Sequence, residues 1–219
     1  MKRLGDYMLE QYRTIHDSGE ALVVEKKSKF IATVHKVKSP EEAEAYMVQL
    51  RKKYYDATHN CYAYQIGEKN EFQKSSDDGE PQGTAGKPIL DVLKGEEIKD
   101  TLICVTRYFG GTLLGTGGLV RAYGKAAKEG LLAAGIVEKR RVKLYHLQMP
   151  YTLVGKVQYL LGERKYVIRE SIYLEDVTFI VEVLISEGES FMTWMQEQTN
   201  AGVNIIPGED DFIEVPVSL

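Results

Sequence analysis

Cysteine and long apolar runs are both scarce in this chain. The two cysteines, Cys61 and Cys104, are too few for a disulfide framework, and we therefore expect a cytoplasmic protein. No run of about 18 apolar residues occurs, which excludes a membrane-spanning helix. The polar character of residues 1–7 predicts no secretion signal.

A strong net charge is also missing. The 219 residues include 28 basic and 32 acidic side chains, for a net charge of −4, and 43% are apolar. This composition is typical of a folded globular protein and argues against a surface that binds polyanions everywhere. The acidity is uneven. Residues 140–219 hold 7 basic and 12 acidic residues, net −5, whereas residues 1–139 hold the other 21 and 20, net +1. We therefore expect the two parts to face different partners.

The pattern before residue 140 predicts an α+β sandwich with helices on one face of a sheet. Predicted strands lie near residues 22–24, 30–35, 61–66 and 102–106, and predicted helices at 39–54, 89–93 and 119–134. Two loops separate these elements, a polar one at 73–88 and a glycine-rich one at 110–118. Ser39 and Pro40 suit the start of the first helix, and Gly135 suits the end of the third.

The remaining residues follow the order β-α-β-β-α-β, which is the ferredoxin-like arrangement. We therefore predict two domains, residues 1–139 and 140–219. This second fold hosts many unrelated functions and indicates none by itself.

The polar loop contains three acids, Asp77, Asp78 and Glu80, whose oxygens suit Mg²⁺ or Ca²⁺. A solvated loop with Asx and proline turns fits the same residues and is the favoured interpretation, so we predict no metal site.

His59 and Cys61 share one side of a predicted strand. A nucleophile needs a neighbouring base and zinc needs about four ligands, which favours core or edge roles for both residues.

The glycine-rich loop joins a strand to a helix and is the strongest candidate for an anion site. Backbone N–H groups at the start of a helix attract phosphate, and basic side chains at helical spacing add a positive stripe. The candidate phosphate- or nucleic-acid-binding residues are Arg107, Gly110, Gly111, Gly117, Gly118, Arg121, Lys125 and Lys128. The loop matches neither a P-loop nor a Rossmann fingerprint, and its glycines are also compatible with close helix-on-sheet packing.

Three motifs in this order resemble the IMPACT family, specifically its bacterial YigZ-type branch. They are Asp-Ala-Thr-His-Asn-Cys-Tyr-Ala-Tyr at 56–64, Ser-Asp-Asp-Gly-Glu-Pro at 76–81 with Gly-Thr-Ala-Gly at 83–86, and Thr-Arg-Tyr-Phe-Gly-Gly at 106–111 with Gly-Gly-Leu-Val-Arg-Ala-Tyr at 117–123. The residues that match the family motifs are His59, Asp77, Asp78, Gly79, Glu80, Arg107, Gly110, Gly111, Gly117, Gly118 and Arg121. The resemblance assigns none of them a catalytic role.

The resemblance implies an N-terminal domain like domain 2 of ribosomal protein S5 and a C-terminal domain like the last domain of elongation factor G. It also implies a link to translation, since eukaryotic members regulate translation. We therefore expect a cytoplasmic, non-enzymatic protein that binds RNA or the ribosome through the glycine-rich loop, with the acidic C-terminal part contacting protein. The alternative is an enzyme or sensor for a small phosphorylated ligand, with Mg²⁺ at Asp77, Asp78 or Glu80.

Overall fold

A computed structural model describes residues 9–217, so the polar stretch of residues 1–7 lies outside the described range. The described residues form two compact units, one of residues 9–139 together with 214–217, the other of residues Arg140–Ile213. The sequence pattern places the last residues in the second domain instead. The division into domains 1–139 and 140–219 stays a prediction. Within residues 9–217, no helix is both long and apolar enough to cross a membrane.

The first unit is built on a five-stranded antiparallel sheet in the order β2-β3-β6-β4-β5. Its elements are β1 (Gln11–Ile15), β2 (Gly19–Glu25), β3 (Ser28–Lys36), α1 (Pro40–Lys53), β4 (His59–Ile66), β5 (Phe72–Ser76), α2 (Gly86–Gly95), β6 (Thr101–Tyr108) and α3 (Gly115–Ala134). The mixed α+β class is as predicted. Helix α1 begins as its sequence predicts, because the Ser39 hydroxyl accepts the Glu42 N–H and Pro40 occupies the first turn.

Both faces of this sheet are covered, which differs from the predicted one-sided sandwich. Cys61 and Ala63 of β4 join the core formed with α2 and α3, whereas Tyr62 and Tyr64 join the core formed with α1. Successive side chains of a strand point to opposite faces, so helices on both sides bury nearly all of β4. An eight-residue strand with so little polar alternation is typical of this two-sided burial.

Two boundaries also differ from the prediction. Strand β5 occupies part of the predicted polar loop, and its side chains are mostly exposed because it is an edge strand that pairs only with β4. Without a buried face it shows no apolar alternation.

Helix α3 begins at Gly115, so Gly117 and Gly118 lie in its first turn rather than in a loop. Glycine disfavours a helix by about 1 kcal/mol per residue, and packing of the buried α3 face on the sheet outweighs that cost.

The chain from residue 136 onward contains the predicted β-α-β-β-α-β order. Its elements are β7 (Ile136–Met149), α4 (Val154–Glu163), β8 (Val167–Tyr173), β9 (Val177–Leu184), α5 (Gly188–Thr199) and β10 (Asn204–Val217). Strand β7 pairs with β9 and β10, and β9 pairs with β8, which gives the ferredoxin-like order β10-β7-β9-β8. Alternate β9 residues, from Val177 to Val183, face a core that includes Phe191 and Met195 of α5.

Candidate anion-binding site

A buried ion pair anchors the acidic turn, which we define as residues 77–86, to the sheet. Arg107 Nη1 donates to Glu80 Oε1 at 2.6 Å, and the Tyr123 hydroxyl donates to the same oxygen at 2.8 Å. The two charged side chains are only 6% and 3% exposed. A carboxylate this deeply buried is stable only when charge-assisted hydrogen bonds replace its water. Glu80 therefore holds the turn against β6 and α3.

The burial of Arg107 follows from the alternation along β6. Ile103 and Val105 face the core beneath α3, and Arg107 continues the same face two residues later. Its guanidinium lies 5.5 Å from the ring centroids of both Phe30 and Phe109. Arg107 was predicted to be a phosphate ligand, and the structure places its charge beside an internal partner, Glu80. The alternation of buried residues along β6 was the signal in the sequence from which this placement could have been predicted.

His59 and Cys61 lie beside this pair and bond to the acidic turn. His59 Nδ1 is 2.8 Å from the Asp78 carbonyl oxygen and donates to it, which leaves Nε2 facing Glu80 Oε2 at 3.9 Å. Cys61 Sγ is 2.9 Å from the Asp77 carbonyl oxygen and 3.4 Å from the Tyr123 hydroxyl. Burial raises the pKa of the Cys61 thiol far above its ordinary value. Cys61 is thus an S–H donor rather than a thiolate at neutral pH.

The other carboxylates of the acidic turn also have internal partners. Asp77 accepts the backbone N–H groups of Gly83, Ala85 and Gly86 at 2.8–3.0 Å. Burial alone would raise the pKa of Asp77, but these three donors outweigh it and hold the pKa below its ordinary value. Asp78 accepts the backbone N–H of Asn60 at 2.7 Å.

These contacts bear on the metal hypothesis. Among residues 9–217, no group of three or more His, Cys, Asp or Glu side chains is placed to hold a metal ion. The alternative function placed Mg²⁺ at Asp77, Asp78 or Glu80, and a metal ion held by protein ligands alone needs several oxygens close together. Each of these carboxylates accepts hydrogen bonds from a different part of the first unit. These bonds fix the conformation and the position of the acidic turn.

A strained hairpin turn lies next to the start of α3. Strands β2 and β3 are joined by two residues only, Lys26 and Lys27, with φ values of +46° and +69°. Positive φ at both central positions defines a type I′ turn, which favours Asn-Gly rather than bulky residues. A Cβ atom on Gly110 would overlap the backbone of Lys27 and Ser28. Gly110 therefore permits the loop that precedes α3 to pack directly on this turn.

The turn and α3 enclose a cavity of about 240 Å³, which we call the basic cavity. Its charged lining residues come from both elements and are Glu25, Lys26, Arg121 and Lys125. Its remaining lining residues are Val23, Leu114, Gly118 and Ala122. Helix α3 begins without a side-chain cap at Leu114, so its first N–H groups and the positive end of its dipole lie at this end of the fold. The cavity can accept a small anionic group.

The cations of the basic cavity have no partner within the described part of the chain. The side chains of Lys26, Arg121 and Lys125 form no ion pair or hydrogen bond with another residue among 9–217. Lys128, the third member of the predicted stripe, differs because its Nζ donates to Glu96 Oε1 at 3.2 Å. The structure therefore keeps Arg121 and Lys125 together, pairs Lys128 elsewhere, and adds Lys26, which sequence reasoning missed. The adjacent lysines of a two-residue turn were the available signal.

Replacing the two lysines of the hairpin turn is expected to stabilise the fold and to remove a cation from the basic cavity. Replacing Lys26 with asparagine and Lys27 with glycine places favoured residues at the two positive-φ positions. Because an L-residue there costs roughly 1–2 kcal/mol, we expect the free energy of unfolding to rise by about 1 kcal/mol. Urea titration measures this change. A loss of stability would show that the lysine side chains support the turn.

Comparison with known proteins places the chain in a family. The fold and cavity define a two-domain α+β protein with a basic cavity in its first unit. The Impact N-terminal domain matches residues 26–131, and a domain of unknown function (DUF1949) matches residues 147–201. The chain belongs to the IMPACT family, as its motifs predict.

The relatives include bacterial proteins of matching length. IMPACT family member YvyE of Bacillus subtilis (strain 168) is 44% identical over 211 residues, which are 96% of this chain and 97% of that protein. IMPACT family member YigZ of Escherichia coli (strain K12) is 40% identical over 140 residues, 63% of this chain and 69% of that protein. A crystal structure of a hypothetical protein is 31% identical with a TM-score of 0.58, and the match covers 92% of this chain and 99% of that one.

Proposed function

We propose that this protein is a cytoplasmic, non-enzymatic RNA-binding protein that associates with ribosomal or other RNA and regulates translation. The observation that carries the proposal is the basic cavity, where Lys26, Arg121 and Lys125 converge without an internal counter-charge for each. Keeping unpaired cations close together costs electrostatic free energy, and a bound phosphate removes that cost. RNA is the polyanion that the family's link to translation suggests.

The uneven charge supports different binding partners for the two parts of the chain. Residues 1–139 are nearly neutral with a local cluster of cations, whereas residues 140–219 carry a net charge of −5. A phosphate backbone is repelled by the acidic part and attracted by the cavity. We propose that the C-terminal part contacts a protein partner instead.

The binding role is favoured over an enzyme because the reactive groups are already engaged. Glu80, Arg107 and Tyr123 bond to one another, and Asp77 is held by backbone donors. General acid–base catalysis requires a proton donor or acceptor within reach of a substrate. The basic cavity itself offers cations, one carboxylate and apolar groups, which suit recognition.

Removing the cavity cations is expected to weaken RNA binding and its dependence on salt. Each phosphate contact to a single strand contributes about 0.7 to the slope of log affinity against log salt. We expect Arg121→Ala and Lys125→Ala each to lower that slope by about this amount, measured by fluorescence anisotropy with one RNA between about 50 and 200 mM salt.

Lys128→Ala provides the matched control on the same helix. It removes the same charge, but its side chain binds Glu96, so we expect a smaller change in the slope. Co-sedimentation with ribosomes at low and moderate salt tests the link to translation. Equal slopes for all three variants and the unmodified protein would contradict phosphate contact at the basic cavity.

A further inference from the structure

The size of the basic cavity indicates that only one group of a larger ligand enters it. Its volume of about 240 Å³ lies below the roughly 300–1,000 Å³ of sites that enclose a whole small molecule. Phosphates along the middle of a strand lie on open surfaces, whereas a concave site admits a group that protrudes. A strand end is the protruding phosphate-bearing part of RNA.

The charge of the cavity matches a doubly charged group. Three cations, Lys26, Arg121 and Lys125, and one carboxylate, Glu25, leave a net charge of +2. A phosphodiester within a strand carries one negative charge, but a phosphate monoester carries about −1.5 to −2 at neutral pH. Glu25 disfavours a weakly charged group, because an anion must bind the cations strongly enough to offset repulsion from this carboxylate.

The walls of the cavity suit the rest of a terminal nucleotide. Val23 and Ala122 are buried and, with Leu114, give the cavity an apolar side, which strengthens the electrostatic interactions beside it because it lowers the local dielectric constant. Outside it, the loop that packs on the turn through Gly110 exposes Phe109 and Leu113, which are 47% and 83% exposed. An exposed aromatic ring offers a stacking surface for a base of a single strand.

We propose that the basic cavity binds the terminal phosphate monoester of a single-stranded RNA. This inference rests on the proposed RNA-binding function and adds the chemical class of the group that is recognised. The cations contact the dianionic phosphate, the apolar side contacts the terminal sugar, and Phe109 contacts a neighbouring base.

The test compares one short RNA sequence with three kinds of end. The RNA carries a 5′-phosphate, a 3′-phosphate or hydroxyls at both ends, and a free nucleoside 5′-monophosphate serves as competitor. We expect a phosphate end to raise affinity about tenfold over hydroxyl ends, because charge-assisted hydrogen bonds to a dianion replace those to a monoanion. The preference is expected to shrink at about pH 5, where the monoester with a second pKa near 6 takes up a proton.

Single substitutions test which residues produce the preference for a phosphate end. Lys125→Ala and Lys26→Asn are expected to abolish the preference for a phosphate end, and asparagine keeps the positive φ of the hairpin turn accessible. Lys128→Ala is expected to retain the preference, and thermal unfolding checks that each variant is folded. Phe109→Ala is expected to weaken binding of RNA without changing that of the nucleoside monophosphate.

The outcomes distinguish this inference from the function on which it rests. RNA binding with equal affinity for all three ends would overturn end recognition while supporting the proposed function. No binding of RNA together with binding of the nucleoside monophosphate would support a monoester site and overturn the RNA assignment. No binding of any probe would overturn both.

Discussion

Arg107→Met is expected to lower the free energy of unfolding by about 3–5 kcal/mol, the usual cost of leaving one partner of a buried ion pair without the other. Arg107 donates to Glu80 at 2.6 Å where the two side chains are 6% and 3% exposed. Without the guanidinium, the carboxylate retains the Tyr123 hydroxyl as its closest donor and must take up a proton or admit water. Urea unfolding followed by circular dichroism measures the loss.

A double-mutant cycle separates this coupling from the loss of packing. Glu80→Gln keeps an acceptor for Tyr123 and removes the buried charge, so the double variant Arg107→Met, Glu80→Gln is expected to be more stable than the sum of the single losses predicts. Neighbouring charges typically couple by about 0.5–3 kcal/mol. Strictly additive losses would show that the ion pair contributes no coupling.

Two further measurements refine the interpretation of this variant. The single tryptophan, Trp194, belongs to the unit of residues 140–213, so its fluorescence reports on that unit separately. Folded Arg107→Met protein is expected to keep the salt slope of RNA binding, because Arg107 does not line the basic cavity. A reduced slope would return Arg107 to the set of phosphate ligands that its sequence position suggests.

Asp77→Ala is expected to lower the free energy of unfolding by about 3 kcal/mol or more, because hydrogen bonds to a charged acceptor contribute about 1.5–3 kcal/mol each. Asp77 accepts three backbone N–H groups, from Gly83, Ala85 and Gly86. The last two begin α2, and Ala85 is fully buried, so water does not readily replace the carboxylate. The same urea titration measures the change.

Two matched substitutions test whether the number of bonds decides the cost. Asp77→Asn keeps one acceptor oxygen, and we expect an intermediate loss. Asp78→Asn affects a carboxylate whose main backbone donor is Asn60, and a loss of about 1 kcal/mol is expected. If Asp78→Asn lowers the free energy of unfolding as much as Asp77→Ala does, the stabilising role assigned to the three hydrogen bonds of Asp77 is contradicted.

The lowered pKa of Asp77 also predicts a dependence on pH. A carboxyl group whose pKa is lower in the folded state stabilises the fold at pH values above its unfolded pKa, which is about 3.9. That stabilisation is lost as the pH falls through the lowered folded value. Stability is therefore expected to fall less steeply below about pH 4 in Asp77→Asn than in the unmodified protein. If stability falls equally steeply below about pH 4 in both proteins, the lowered pKa of Asp77 is contradicted.

Local signals in the sequence predicted much of the fold. Helix α1 was predicted from Ser39 and Pro40 because capping depends on neighbours in sequence, and the structure contains the expected bond to Glu42. The β-α-β-β-α-β order of the second half was predicted from periodicity, which reports how often a side chain faces a core. Strand β5 was missed because an edge strand without a buried face has no such periodicity.

The candidate site was only partly accessible from the sequence. Arg121 and Lys125 were expected together because helical spacing places them on one face. Their separation from Arg107 depends on which face of β6 the core covers, and the addition of Lys26 depends on a contact between elements about 90 residues apart in sequence. Helical and strand spacing report neighbours within one element and contain no information about which elements meet.

The sequence by itself thus determined the family, the α+β class, the order of the elements in the second half and the uneven charge, since each depends on residue types and their local spacing. The tertiary structure alone decided which charges are neutralised and which are free. Glu80 and Arg107 are 27 residues apart and become a buried pair, whereas Lys26 and Arg121 meet across a cavity without a pair. Electrostatic interactions depend on distance and burial in space, so residue types alone do not determine them.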